Sequence, residues 1–206
     1  GSKKFRLTNE VDDFPDNSWV DGTCYSEHIC GTKCDTYDYG KGGWQSGRAM
    51  IVNVNPTFVQ TLFDGNTSDF RYKKLWTYER TGLMIYGYVL RKYRCFYTGT
   101  KAAQNFPIIR LSEMYLIAIE SAPTQNEANA LYIPYMKARN VDASPLQQEQ
   151  LMTEIIREYR REFFGEGQMF YTYKRLGIKN MLWKTDREVG EQDYVVPLPS
   201  TELTAN

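Results

Sequence analysis

Glu162 and Glu166 stand four residues apart beside Arg160 and Arg161, the nearest approach in this chain to a catalytic constellation. Two carboxylates can divide general-acid and general-base work, as in glycoside hydrolysis, but such pairs straddle a cleft from separate elements. Arginines alongside also keep both groups ionised, which spoils either as a proton donor. The only histidine, His28, lies in a Gly-rich stretch with Cys24, Cys30 and Cys34, while Cys95 is distant. One disulfide within that cluster would fit an oxidising compartment. Four cysteines allow three pairings, however, and spacing does not choose among them. Zinc with His28 is the rival, against which stands the lack of paired short Cys-x-x-Cys knuckles. No nucleophile elbow, P-loop, dinucleotide fingerprint or zincin motif is present. The expectation is a protein that is not an enzyme, with no catalytic residue, no cofactor and no metal.

Binding chemistry is better represented. Trp19, Tyr25, Tyr37, Tyr39 and Trp44 are interleaved with Asp, Asn and Gly. Flat rings suit the C–H faces of sugars, and the intervening polar groups suit hydroxyls. Loops on a rigid scaffold are where such sites lie. These five residues are the candidate ligand-binding set. The chain has 206 residues, with 25 basic and 25 acidic side chains. That balance gives no electrostatic footprint for a nucleic-acid partner. No apolar run has the length of a membrane span. No signal peptide is recognisable, and Gly1-Ser2 reads as the remnant of a cleaved tag.

The elements that must carry these residues divide into two parts. Residues 1–105 read as a loop-rich segment with short strands and the candidate ligand face. A strand is expected over 49–54 and another extended stretch over 83–97, with glycine-punctuated loops over 12–48. Pro56 opens a short helix that stops at the turn Asp64-Gly65-Asn66. Residues 106–206 read as helical. The run Ile108 to Glu120 is apolar almost all round and predicts a central buried helix. Thr124 to Glu127 has capping-box spacing and opens a helix with Ala128, Leu131, Tyr132 and Tyr135 inward. Pro134 should kink or shorten it, at about 3 kcal/mol if the helix ran straight. Leu151, Ile155, Tyr159 and Phe163 mark a third amphipathic helix, with Met152 and Ile156 widening the stripe. On its other side Glu154 with Arg157, and Glu158 with Arg161, can pair across one turn on a solvated face. The sharper alternative buries Arg160, Arg161 and Glu162 in part. A fourth helix covers Met169 to Leu176 before Gly177, and the tail from Asp193 onward is extended. The fold class is therefore mostly α, built of helical hairpins, with a loop-rich segment and a few short strands. No fixed internal period supports a tetratricopeptide assignment on sequence alone.

The helix Ile155-Ile156-Arg157-Glu158-Tyr159-Arg160-Arg161-Glu162-Phe163-Phe164-Gly165-Glu166-Gly167, the run Pro107 to Leu116, Asp69-Phe70-Arg71 and the stretch Tyr194 to Pro199 together resemble the starch-utilisation-system D (SusD/RagB-like) family of outer-membrane nutrient-binding lipoproteins. Pro107-Ile108-Ile109-Arg110-Leu111-Ser112-Glu113-Met114-Tyr115-Leu116 is similar to the family's "P-[IV]-[IL]-R-L-[SA]-E-x-Y-L" entry. Asp69-Phe70-Arg71 resembles its Asp-x-Arg segment, and Tyr194-Val195-Val196-Pro197-Leu198-Pro199 its closing signature. The resemblance runs from about residue 56 to the end.

The chain departs from that pattern where "E-G-x-R-x-x-D-L" becomes Glu166-Gly167-Gln168-Met169-Phe170-Tyr171-Thr172-Tyr173. Met169 and Thr172 replace an arginine and an aspartate together, so the fold need not suffer. Family members are also typically more than twice this length. The resemblance implies a tetratricopeptide-like, non-catalytic protein of a Bacteroidetes-type cell surface. It would be lipid-anchored to the outer membrane through a cysteine outside this chain. Its ligand would be a glycan or other nutrient, and its partner a SusC-like TonB-dependent transporter. The alternative is a fragment that docks on the transporter and binds no ligand itself, with a glycoside hydrolase ranked behind both.

Overall fold

In the computed structural model the described residues are 5–14, 24–33, 55–82, 85–90, 105–182 and 186–196. The helices among them are α1 (Glu10–Asp13), α2 (Pro56–Leu62), α3 (Leu111–Glu120), α4 (Gln125–Ala138), α5 (Gln148–Phe163) and α6 (Met169–Leu176). Four short strands, β1 (His28–Lys33), β2 (Trp76–Gly82), β3 (Ile85–Leu90) and β4 (Asn105–Arg110), form two antiparallel pairs. The class is mostly α, as expected. The expected strand over 49–54 lies outside the described residues. The chain divides into two compact units, Gly1–Arg161 and Glu162–Asn206.

In the first unit, β1 pairs with β4 and β2 with β3. The stretch around His28 is thus a strand rather than the loop its glycines suggested, because its partner is supplied from residues 105–110. That pairing also corrects the start of α3. The backbone stays extended through Arg110, and Ile108 and Ile109 lie on the strand, 58% and 37% exposed. Helix α3 buries Ser112, Leu116 and Ile119 but leaves Met114 and Ile117 exposed, so it is not the all-round buried helix expected.

Thr124 caps α4, accepting from the Glu127 amide at 3.2 Å. The helix then runs through Pro134 to Ala138 without stopping there. Proline cannot donate to the Ala130 carbonyl, a loss that would break an isolated helix. Buried Ala128, Tyr132, Tyr135 and Met136 on both sides of it offset that cost by packing. Leu131, expected inward, is only half-buried. In α5, Leu151, Ile155, Tyr159 and Phe163 are all buried, whereas Met152 is exposed and does not widen the stripe.

In the second unit, α6 ends at Gly177, whose φ of +60° suits a residue without a Cβ. The chain returns through Val189, whose amide donates to the Lys179 carbonyl at 2.7 Å. The Tyr194 hydroxyl donates to the Ile178 carbonyl at 2.5 Å, and its ring lies 5.8 Å from Phe170. Asp193 and Tyr194 belong to a 3-10 turn, Glu191–Tyr194, so the tail is not extended from Asp193. Met169 and Thr172 are both buried, and the Thr172 hydroxyl donates to the Gln168 carbonyl. A buried charge at either position would require a partner; these two side chains require none.

Candidate functional site

Among the described residues of the first unit, buried charges gather at two centres. At the first, Asp69 and Arg71 make a local fork: Nε donates to Oδ1 at 3.0 Å and Nη2 to Oδ2 at 2.7 Å. Arg71 Nη1 lies 2.9 Å from Glu158 Oε2 and donates to the Tyr135 hydroxyl at 3.3 Å. Glu158 also binds Arg161, one turn along α5. Arg161 reaches on to Glu154 at 3.0 Å, to Asp64 at 2.6 Å and, through Nε, to the Leu62 carbonyl at the end of α2. A guanidinium at that end satisfies an orphan carbonyl and opposes the helix dipole.

The pairing of Glu158 with Arg161 was expected on a solvated face, yet Glu158 is fully buried. Its burial alone would raise the carboxyl, but Arg71 and Arg161 outweigh that and hold it below the ordinary value. Arg71 is pushed up in turn, burial being overcome by Asp69 and Glu158. Glu162, proposed above as half of a carboxylate pair, is buried in α5, whereas Glu166 lies past the helix end at Phe163. The two therefore share no helix face.

The second centre is formed by Glu27 and Arg139, both fully buried, at 3.0 Å. Glu27 accepts from the Thr8 amide at 2.8 Å and from the Ser112 amide at 3.3 Å. It thereby places a carboxylate at the start of α3, which has no side-chain cap of its own. The Arg139 guanidinium lies 4.7 Å over the Tyr135 ring. Tyr135 accordingly touches both centres.

Beside the first centre is a cleft of about 350 Å³. The turn Phe63 to Asn66, Tyr132 of α4, the segment 141–146, and Glu154 and Arg161 of α5 line it. Burial, then the charges of Glu154 and Glu158, push the Tyr132 phenol up and keep it neutral. Asp64, Asp69 and Glu154 of the cleft's lining lie against arginines, which suits hydrogen bonds to an uncharged polar molecule better than acid–base chemistry.

The hairpin β2–β3 carries an aromatic feature that the sequence analysis missed. Tyr78 stands opposite Tyr88 in register, and Arg80 opposite Tyr86, all on one face. Tyr78 and Tyr86 stack at 6.1 Å with a 23° interplanar angle, and are 54% and 57% exposed. Tyr88 lies 5.4 Å from Tyr78, and its hydroxyl is 3.0 Å from that of Tyr72. The signal was available as period-two tyrosines at 86 and 88 facing Trp76, Tyr78 and Arg80.

Of the sequence-derived candidates, Tyr25 is described. It opens a 3-10 turn, is 44% exposed, and meets His28 edge to face at 5.3 Å. Trp19, Tyr37, Tyr39 and Trp44 lie outside the described residues, as do Cys34 and Cys95. Cys24 is buried and Cys30 exposed. Among the described residues no cluster of metal-ligating side chains occurs, and no helix is long and apolar enough to cross a membrane.

The sequence profile of the SusD family matches residues 36–206. Among solved structures, a SusD superfamily protein from Bacteroides thetaiotaomicron VPI-5482 is similar, with a TM-score of 0.68 and 24% identity. The likeness covers 99% of this chain and 51% of that one. A laminarin-binding SusD-like protein is similar with a TM-score of 0.55 and 21% identity, over 87% of this chain and 48% of that one. The chain thus spans about half the length of these relatives. No curated protein matches it.

Proposed function

The chain belongs to the SusD family, and on that premise we propose a non-catalytic nutrient-binding protein of the cell surface whose ligand is a glycan. The family match over residues 36–206 is the observation that carries this reading. A structural relative described as laminarin-binding supports a glycan as the class of ligand. The chemistry of the first unit is consistent with it. Buried carboxylates sit against arginines, which suits a scaffold better than proton transfer.

The ligand face lies in residues 1–105, and Trp19, Tyr25, Tyr37, Tyr39 and Trp44 contribute rings to it. The protein works at the outer membrane, tethered by a lipid, beside a SusC-like TonB-dependent transporter that takes up the captured glycan.

Calorimetric titration with laminarin, starch and mannan tests the binding reading. Saturable heat with at least one polysaccharide is expected, without release of reducing ends on prolonged incubation. Released reducing ends would overturn the non-catalytic assignment, and silence with every glycan would leave the docking role as the better account. Co-purification of a TonB-dependent transporter from detergent-solubilised outer membranes tests the partnership.

A further inference from the structure

The β2–β3 hairpin presents two solvent-exposed rings that are held as if on a bracket. The ladder begins in the core at Phe63, which is 1% exposed and meets Tyr72 edge to face at 5.7 Å. It continues from Tyr72 to Tyr88 at 6.1 Å, then to Tyr78 at 5.4 Å and Tyr86 at 6.1 Å. The bond between the Tyr72 and Tyr88 hydroxyls ties the middle of the row. It also helps push the Tyr88 phenol up, with burial adding to it.

Cross-strand tyrosines commonly do no more than steady a hairpin. Two features go beyond that role. The last two rings are nearly parallel and more than half exposed, so each keeps much of its surface in water. The rings beneath them fix their orientation in advance, so little side-chain freedom is left to lose on binding. A ring face edged by a phenolic hydroxyl complements a pyranose, which shows an apolar C–H face edged by hydroxyls. Arg80, exposed and opposite Tyr86 in register, shares that face of the hairpin, and a guanidinium can donate to sugar oxygens.

We infer that Tyr78 and Tyr86, with Arg80 beside them, form a stacking platform for a neutral glycan chain, a subsite additional to the loop aromatics. The inference rests on the glycan-binding reading above and specifies where part of the ligand sits.

The experiment titrates the wild-type chain and the variants Tyr78→Ala, Tyr86→Ala, Tyr78→Phe and Tyr86→Phe with soluble starch, mannan, barley β-glucan and xylan. Tyr171→Ala, which removes an exposed ring elsewhere, is the control. Each hairpin alanine variant is expected to weaken binding about ten-fold. The phenylalanine variants and the control should remain near wild type. Wild-type affinity in both alanine variants would overturn the platform while leaving the glycan reading intact. No binding by the wild type to any of the four would overturn both. Should the alanine variants misfold, 3-fluorotyrosine NMR of the intact chain replaces them, with resonances assigned through the phenylalanine variants. Shifts at positions 78 and 86 on adding polysaccharide support the platform, and their absence overturns it.

Discussion

Glu158 and Arg71 face each other at 2.9 Å with neither side chain meaningfully exposed. The carboxylate comes from the middle of α5 and the guanidinium from the helical turn Arg71–Leu75 that leads into β2, so this pair fastens two distant stretches of the first unit. Arg71 is held locally by Asp69, and Glu158 by Arg161, making a chain of alternating charges rather than an isolated pair. Such a network is high-stakes: complete, it specifies one arrangement; broken, it leaves a buried charge uncompensated.

Replacing Glu158 by Gln should therefore destabilise the protein by about 3–5 kcal/mol, since two buried arginines lose their shared anion. Glu149→Gln, on an exposed position of the same helix, should change stability by about 0.5 kcal/mol or less. Urea unfolding midpoints at neutral pH measure both.

The same carboxylate sets an acid limit. Its folded-state value lies below the ordinary 4.5 because the two arginines outweigh its burial. Its stabilisation is thus fully present above the unfolded value and is lost as pH falls through the folded one. Unfolding midpoints should hold steady from neutral pH to about 5 and then decline in more acid solution. In Glu158→Gln that decline should be shallower.

Tyr135 offers a way to separate its contact with Arg71 from its contact with Arg139. Tyr135→Phe removes the acceptor for Arg71 but keeps the ring under Arg139, and should cost about 1–2 kcal/mol. Tyr135→Leu also removes the cation–π contact and leaves space in the core, and should cost about 3–5 kcal/mol. Thermal and urea unfolding of both variants would check the order.

Pro134 is exposed within α4 and leaves the Ala130 carbonyl without its helical donor. Pro134→Ala restores that bond without disturbing a buried residue. The expected outcome is a gain of about 1–3 kcal/mol, read from the urea midpoint. A loss would mean that the helix is shaped around the proline.

The helices were the most legible part of the sequence. Asn55 and Pro56 begin α2 and Gly177 ends α6, because capping and left-handed turns are decided by a few adjacent residues. The four-residue spacing of Leu151, Ile155, Tyr159 and Phe163 located the buried stripe of α5. The strands were less legible. His28 to Lys33 looked like a loop because its partner lies near residue 108, and nothing local announces that pairing. The residues before Arg110 looked helical for the same reason. Their apolar character is equally compatible with a strand until a neighbour supplies the hydrogen bonds.

The candidate ligand surface divides in a similar way. The abundance of tyrosine was visible along the chain. The stacking of Tyr78 on Tyr86 depends on the register of two strands, in which a slip of one residue would send the rings to opposite faces.

By itself the sequence determined the helical class and the family, because periodicity, caps and motif order are written along the chain. Only the tertiary structure decided which charges are sealed inside and which rings stand together. Burial and cross-strand proximity belong to pairs of residues distant in sequence. Glu158 looks like any charged residue on a helix surface until Arg71 is brought to 2.9 Å.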